Sequence, residues 1–262
     1  MFFHNINPVL FELGVLQIRY YGLFYALGFL IAYFMIPYLA RRKGLNITKD
    51  DVSDFLVYAV IGVVLGARII YVLFYNLQFY LQNPLEVFAI WHGGLSFHGG
   101  LIGAIFACYF FCRKRKIDFY DLADIVVIPV ALALALGRIG NFVNAELYGR
   151  ITNVSWCIDY SKNQFLSNLP SGCRHPAQIY ASIKDLTIFA ILWSIKGRKL
   201  PKGFLFWSFV ALYGIFRTLV EFFRQPDEQI GFIFNYFSMG QLLSFPLFLI
   251  GIYMLFKIRK SN

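Results

Sequence analysis

The 262-residue chain is 59% hydrophobic and only 15% charged, with a mean hydropathy of +0.61. Soluble domains run about 45–50% apolar and about 25% charged, so a soluble globular enzyme is excluded and the length suits one integral membrane domain, 1–262. The net charge of +10 sits in short clusters between apolar runs, which excludes the continuous basic face of a nucleic-acid partner.

The opening stretch MFFHNINPVLFELGVLQI has no basic n-region and no small-residue cleavage site, so the first apolar run is read as a retained helix. Seven runs reach the roughly 20 residues a span needs: about 18–40, 53–75, 93–112, 121–141, 176–195, 203–222 and 238–256. They are too long for strands and lack period-two alternation. The expected fold is therefore all-α and polytopic, with about seven transmembrane helices. Alternate connections hold fifteen Lys and Arg, around Arg41, Arg113, Lys196 and Lys257, against five in the others. The basic side is cytoplasmic by this rule, which puts the N-terminus outside and the C-terminus inside a cell membrane. Residues 142–175 then form an external insertion, polar and punctuated by Pro and Gly. Cys157 and Cys173 lie in it, where a disulfide is possible, whereas Cys108 and Cys112 read as buried thiols.

Ionisable groups inside a bilayer are costly and face a bundle interior or a watery cavity. Here they share a depth, toward the external leaflet. Tyr21 opens span one, Arg68 lies in the outer half of span two, and His98 opens span three within HGGLSFHGGLIGA. Arg138 and Asn141 close span four, with Asn144 and Glu146 just beyond. His175 and Gln178 open span five, and Tyr213, Arg217 and Glu221 share one face of span six. Each has a plainer role open to it: an interfacial ring for Tyr21, snorkelling for Arg68, an ion pair for Arg217 with Glu221, a clamp for Arg138 with Glu146, close packing for the glycines. Lys184 and Asp185 are adjacent in mid-span, where neighbours do not face each other, so each is expected to find another partner. No metal-ligand set is visible.

The stretch GRIGNFVNAELYG, Gly137 to Gly149, resembles the signature G-R-x-G-N-F-x-N-x-E-x-x-G of prolipoprotein diacylglyceryl transferases at every fixed position. RYYGLFYALGF, GGLSFHGGLIG, HPAQIY and YGIFRTLVEFFRQPD resemble that family's other motifs, so the likeness covers nearly the whole chain. One departure is visible: Ala181 follows the HPxQxY tyrosine where the family commonly has glutamate, with Asp185 one turn later. The resemblance implies transfer of the diacylglyceryl group of phosphatidylglycerol to the lipobox cysteine of a prolipoprotein, without metal or other cofactor. It carries over Arg138, Asn141, Glu146 and Gly149 as the lipid-binding and catalytic region, with Arg217, Glu221 and Tyr21. His98 is the base it suggests for the thiol. The depth pattern adds Asn144, Arg68, Tyr213, His175 and Gln178 as substrate-binding residues. A transporter of anionic lipid or an inert scaffold are the competing classes; neither inverted repeats nor broken mid-membrane helices favour the first.

Overall fold

The computed structural model describes residues 1–14, 16–226, 232–233 and 237–260, without the side chains of residues 16, 97, 98, 232 and 233. Seven long helices carry the chain: α1 (Tyr20–Lys43), α2 (Lys49–Phe74), α4 (Phe97–Arg115), α5 (Phe119–Val143), α6 (Ala177–Ile195), α7 (Phe204–Glu221) and α8 (Met239–Lys260), with a short α3 (Leu77–Gln82) after α2. Five of them, α1, α2, α5, α7 and α8, are long and apolar enough to cross a membrane. The protein is thus a polytopic helical membrane protein. The all-α, polytopic expectation holds; among the described residues seven short strands, none longer than five residues, accompany the helices.

The chain divides into two compact units, 33–123 and the remainder. In the first, α2 and α4 meet along a glycine seam. A Cβ on Gly62 would stand 2.6 Å from the Gly103 carbonyl oxygen, and Gly66 and Gly99 oppose each other's backbones more closely still. Without a hydrophobic force between helices in lipid, such close approach provides the packing, and the glycines of HGGLIG serve this purpose. The helix α2 starts on a capping box: Asp51 N–H donates to Thr48 Oγ1 at 3.1 Å, and Thr48 N–H donates back to Asp51 Oδ2 at 2.9 Å.

In the second unit, α7 and α8 pack through Gly214 and Gly251, which abut Phe248 and Ala211. No side chain of its own caps α7; Asp124, buried in α5, does so instead, accepting from Gly203 N–H and Phe206 N–H, both at 2.9 Å. A carboxylate at a helix N-terminus also meets the positive end of the helix dipole.

The insertion predicted over 142–175 takes in the N-terminus as well. Strand β1 (Phe2–Phe3) pairs in parallel with β4 (Ile158–Asp159), which pairs antiparallel with β5 (Cys173–Arg174). Strands β2 (Val9–Leu13) and β3 (Leu16–Arg19) form a hairpin that leads into α1. Cys157 and Cys173 are joined, with Cα atoms 5.5 Å apart. Their 16-residue separation implies a loss of about 3 kcal/mol for a Cys157→Ser/Cys173→Ser variant, measured as an earlier thermal transition of this head.

His4 ties the N-terminal arm to the head. Its Nδ1 accepts from Asn163 Nδ2 at 2.9 Å, so its Nε2 carries the proton donated to the Phe142 carbonyl at 2.8 Å. Burial holds the imidazole below its ordinary value, because a charged ring would be desolvated. The unfolded chain therefore binds more protons just below pH 6.5. Stability of the head is complete above that pH and declines as pH falls through it, by at most about 1.4 kcal/mol per pH unit. Thermal melts between pH 8 and 5 should show this slope, and His4→Asn should flatten it. Nearby Tyr160 is pushed up to about 12 by the same burial.

Candidate functional site

Most of the sequence-predicted residues come together in the unit made by α5, α6, α7 and the head. The helix α5 ends at Val143, and the chain turns back through Ala145 and Leu147, both at positive φ (52° and 56°). Such a backbone costs a non-glycine residue of order 1–3 kcal/mol and clusters at functional sites. The turn returns Glu146 to the helix it just left: Asn141 Nδ2 donates to Glu146 Oε1 at 2.8 Å and Asn144 Nδ2 to the same oxygen at 3.3 Å. Arg138 joins this chain through Nη1 to Asn141 Oδ1 at 3.3 Å. Tyr21 packs its ring on Gly140, whose Cβ would stand 2.7 Å from it, and its hydroxyl lies 3.1 Å from that of Tyr25. The signature is therefore a folded network as well as a string of letters, and Arg138 with Glu146 are linked through Asn141, not directly.

A second network forms at the end of α7. Arg217 Nη2 pairs with Glu221 Oε1 at 2.5 Å, one turn apart. Arg224 Nη1 reaches the same oxygen at 3.3 Å, and Ser238 Oγ donates to Oε2 at 2.8 Å. Between the networks lies a tight cleft with about 10 Å³ of open space, walled by Arg138, Arg217 and Arg224 with Leu147, Gln178 and Ala181. Among the described residues Arg138 makes one hydrogen bond for its five N–H donors. The guanidinium groups of two predicted arginines thus share one cavity.

The head is fastened to this cleft by backbone. Gly149 N–H donates to the His175 carbonyl at 2.9 Å and Gly149 bridges Arg224; a Cβ there would stand 2.7 Å from the Phe223 carbonyl oxygen. Only glycine fits this crossing. Gln178 is locked from both sides, donating to the Glu146 carbonyl at 2.7 Å and accepting from Tyr160 Oη at 3.2 Å. His175 Nδ1 is 3.2 Å from Tyr180 Oη, and burial lowers its basicity. Arg150 donates to the Arg224 and Glu221 carbonyls at 3.0 and 3.3 Å, and Arg174 stacks on Tyr148 at 5.0 Å while donating to Gly149 O. Both head arginines anchor backbone.

Two expectations change. Arg68 donates to five carbonyls, those of Val87, Gly93, Gly94, Glu86 and Ala89, at 2.5–3.2 Å, and lies 5.1 Å above Tyr80. A guanidinium has five donors, so none remains for a phosphate, and Arg68 organises the loop before α4. Lys184 and Asp185 pair with each other despite being adjacent, both buried. The long lysine stem curls round because an unpaired charge in lipid is dearer than the bent rotamer. Lys184 Nζ also sits 4.0 Å from the Tyr213 ring. His98 falls in the first turn of α4, and its side chain lies outside the described residues. Among the described residues no metal-ligand cluster occurs.

Sequence reasoning missed Arg224 and Ser238 as parts of the site. The i,i+3 spacing of Arg224 from Glu221 is a usable signal; the approach of Ser238 from the start of α8 is not local and has none.

A sequence model of the family described as prolipoprotein diacylglyceryl transferase matches residues 8–257. Phosphatidylglycerol–prolipoprotein diacylglyceryl transferase of Geobacter sulfurreducens is 51% identical over 255 residues, covering 97% of this chain and 96% of that protein. The enzyme of the same name from Vibrio cholerae is 44% identical (97% and 92% covered), as is that from Rickettsia rickettsii (97% and 98%).

Proposed function

The chain belongs to the prolipoprotein diacylglyceryl transferase family, and from that membership we propose how its arginine cleft performs the transfer. The enzyme moves the diacylglyceryl group of phosphatidylglycerol to the cysteine thiol of a prolipoprotein. Sulfur bonds to the glyceryl carbon, the carbon–oxygen bond to phosphate breaks, and its electron pair leaves with glycerol phosphate. The product is a thioether.

That reaction raises the charge on the phosphate from one to nearly two as the bond breaks. Planar guanidinium forks suit phosphate oxygens better than an ammonium, and donors placed where charge develops lower the barrier. In our reading Arg138 and Arg217 hold the phosphate, with Arg224 beside them. Four buried or half-buried cations (Arg138, Arg217, Arg224, Lys184) face three carboxylates (Glu146, Glu221, Asp185). The observation that carries the reading is this cleft, lined by three arginines of which Arg138 has donors to spare.

The thiol is nucleophilic as thiolate. Its proton passes to a base, for which His98 is proposed, while nearby arginines favour the ionised form. Glu146, Asn141 and Asn144 orient Arg138, and Tyr21 and Tyr213 border the two networks. Gly149, Gln178 and His175 hold the wall of the pocket. Seven spans, with the N-terminus outside and the C-terminus in the cytoplasm, complete the reading; the fifteen-to-five distribution of Lys and Arg supports it. The lipid then enters sideways between helices, since its tails leave hydrocarbon only at high cost.

Membranes containing the protein, given phosphatidylglycerol and a lipobox peptide, should yield a peptide heavier by one diacylglyceryl unit on cysteine. His98→Ala with near-normal turnover would retire the base and leave the rest intact.

A further inference from the structure

A second concave basic surface lies at the opposite end of α1 from Tyr21, wholly within the unit 33–123. Phe34, Pro37, Tyr38, Arg41, Arg42 and Lys49 line an open groove of about 340 Å³, at the small end of the range of small-ligand sites. Its cations are held by rings: Arg42 lies 5.1 Å from the centre of Tyr38 and Lys49 lies 5.9 Å from that of Phe34.

The acids nearby already have partners. Asp51 and Asp54 both pair with Arg115, and Asp121 pairs with Lys43. Asp50 adjoins Lys49 in sequence but points about 100° further round α2. Among the described residues none of Arg41, Arg42 and Lys49 has a recorded ion pair. Three positive charges thus surround one groove, at the level where a membrane helix leaves hydrocarbon and aromatic side chains meet headgroups.

We propose that this groove binds the headgroup of an anionic phospholipid of the adjoining leaflet, as a site separate from the arginine cleft. The guanidinium and ammonium groups contact the phosphate, and the rings of Phe34 and Tyr38 flank the glycerol and upper acyl chain. Basic pockets at this depth suit such lipids. The other charged visitor to the enzyme, a signal peptide, has a basic n-region and is repelled from it.

The test is native mass spectrometry of the purified full-length protein with equal amounts of phosphatidic acid and phosphatidylcholine. Phosphatidic acid should be retained preferentially, and Arg41→Gln/Arg42→Gln/Lys49→Gln should reduce that preference about a hundredfold, given three basic contacts. Lys257→Gln/Arg259→Gln/Lys260→Gln removes the same charge elsewhere and should leave it unchanged. Any lipid held in the arginine cleft is common to all three proteins. Parental diacylglyceryl transfer by the triple groove variant shows that it is folded and that the two sites are independent. An unchanged preference in the groove variant, or an equal loss in both variants, overturns the site. Displacement of the lipid by free glycerol phosphate at equal concentration overturns the lipid as its occupant.

Discussion

Arg138→Ala is expected to lower diacylglyceryl transfer by about 10²–10³-fold, the loss seen when one preorganised donor to a developing oxyanion is removed. The protein should remain in the membrane with its melting temperature little changed. Among the described residues Arg138 makes a single hydrogen bond, to Asn141 at 3.3 Å, so its removal leaves few of them unsatisfied. Arg138→Lys separates charge from geometry: an ammonium keeps the charge and loses the fork. It should recover a minor part of the rate, and normal turnover would refute the forked phosphate. Arg68→Ala provides the contrast. Its five donors all serve backbone carbonyls, so that substitution should lower stability, with turnover falling only as the folded fraction falls. If instead Arg68→Ala kept its stability and lost turnover, the division of roles between the two arginines would be wrong.

The difference between these arginines marks where the sequence was legible. Both lie in apolar runs that the sequence reading assigns to the outer leaflet, and depth alone ranks them together. What separates them is the loop 83–94, whose carbonyls turn onto Arg68; nothing in one helix reports where another segment's carbonyls point. Helices were readable because hydropathy over twenty residues is a strong local signal, as at α2 with its Thr48–Asp51 cap. The head was only half readable. The disulfide partners were visible as two cysteines in one polar loop, but two-residue strands such as β1 have no pattern, and their pairing with β4 spans more than 150 residues. The signature around Arg138 was legible as a motif, while its geometry depended on left-handed residues at Ala145 and Leu147, positions where composition favours no such turn. Lys184 and Asp185 misled the reading because helix spacing describes Cβ directions, and a lysine is long enough to defy them.

Glu221 lies where stability and chemistry are hardest to tell apart, and its substitution should have the largest effect on the fold. Its carboxylate is buried, 3% exposed, and accepts from Arg217, Arg224 and Ser238, with Gly240 pressed so close that a Cβ would stand 2.8 Å from either oxygen. Removing one partner of a buried ion pair costs about 3–5 kcal/mol, because the remaining cations stay buried and unpaired. Glu221→Ala should therefore melt well below the parent in detergent and lose transfer. Glu221→Gln keeps a carbonyl for Ser238 but turns an amide toward two guanidinium groups, and should fall between. Replacing both Arg217 and Glu221 by apolar residues of similar volume, Arg217→Met with Glu221→Leu, should regain much of the lost stability, since burying neither charge is often as good as burying both. It should not regain transfer, because the phosphate then lacks Arg217. A stable double variant with parental turnover would reduce the pair to a structural clamp and leave Arg138 to hold the phosphate without it. A double variant as unstable as Glu221→Ala would instead put the energy in the hydrogen bonds to Arg224 and Ser238, partners that an aliphatic side chain in place of the carboxylate cannot satisfy.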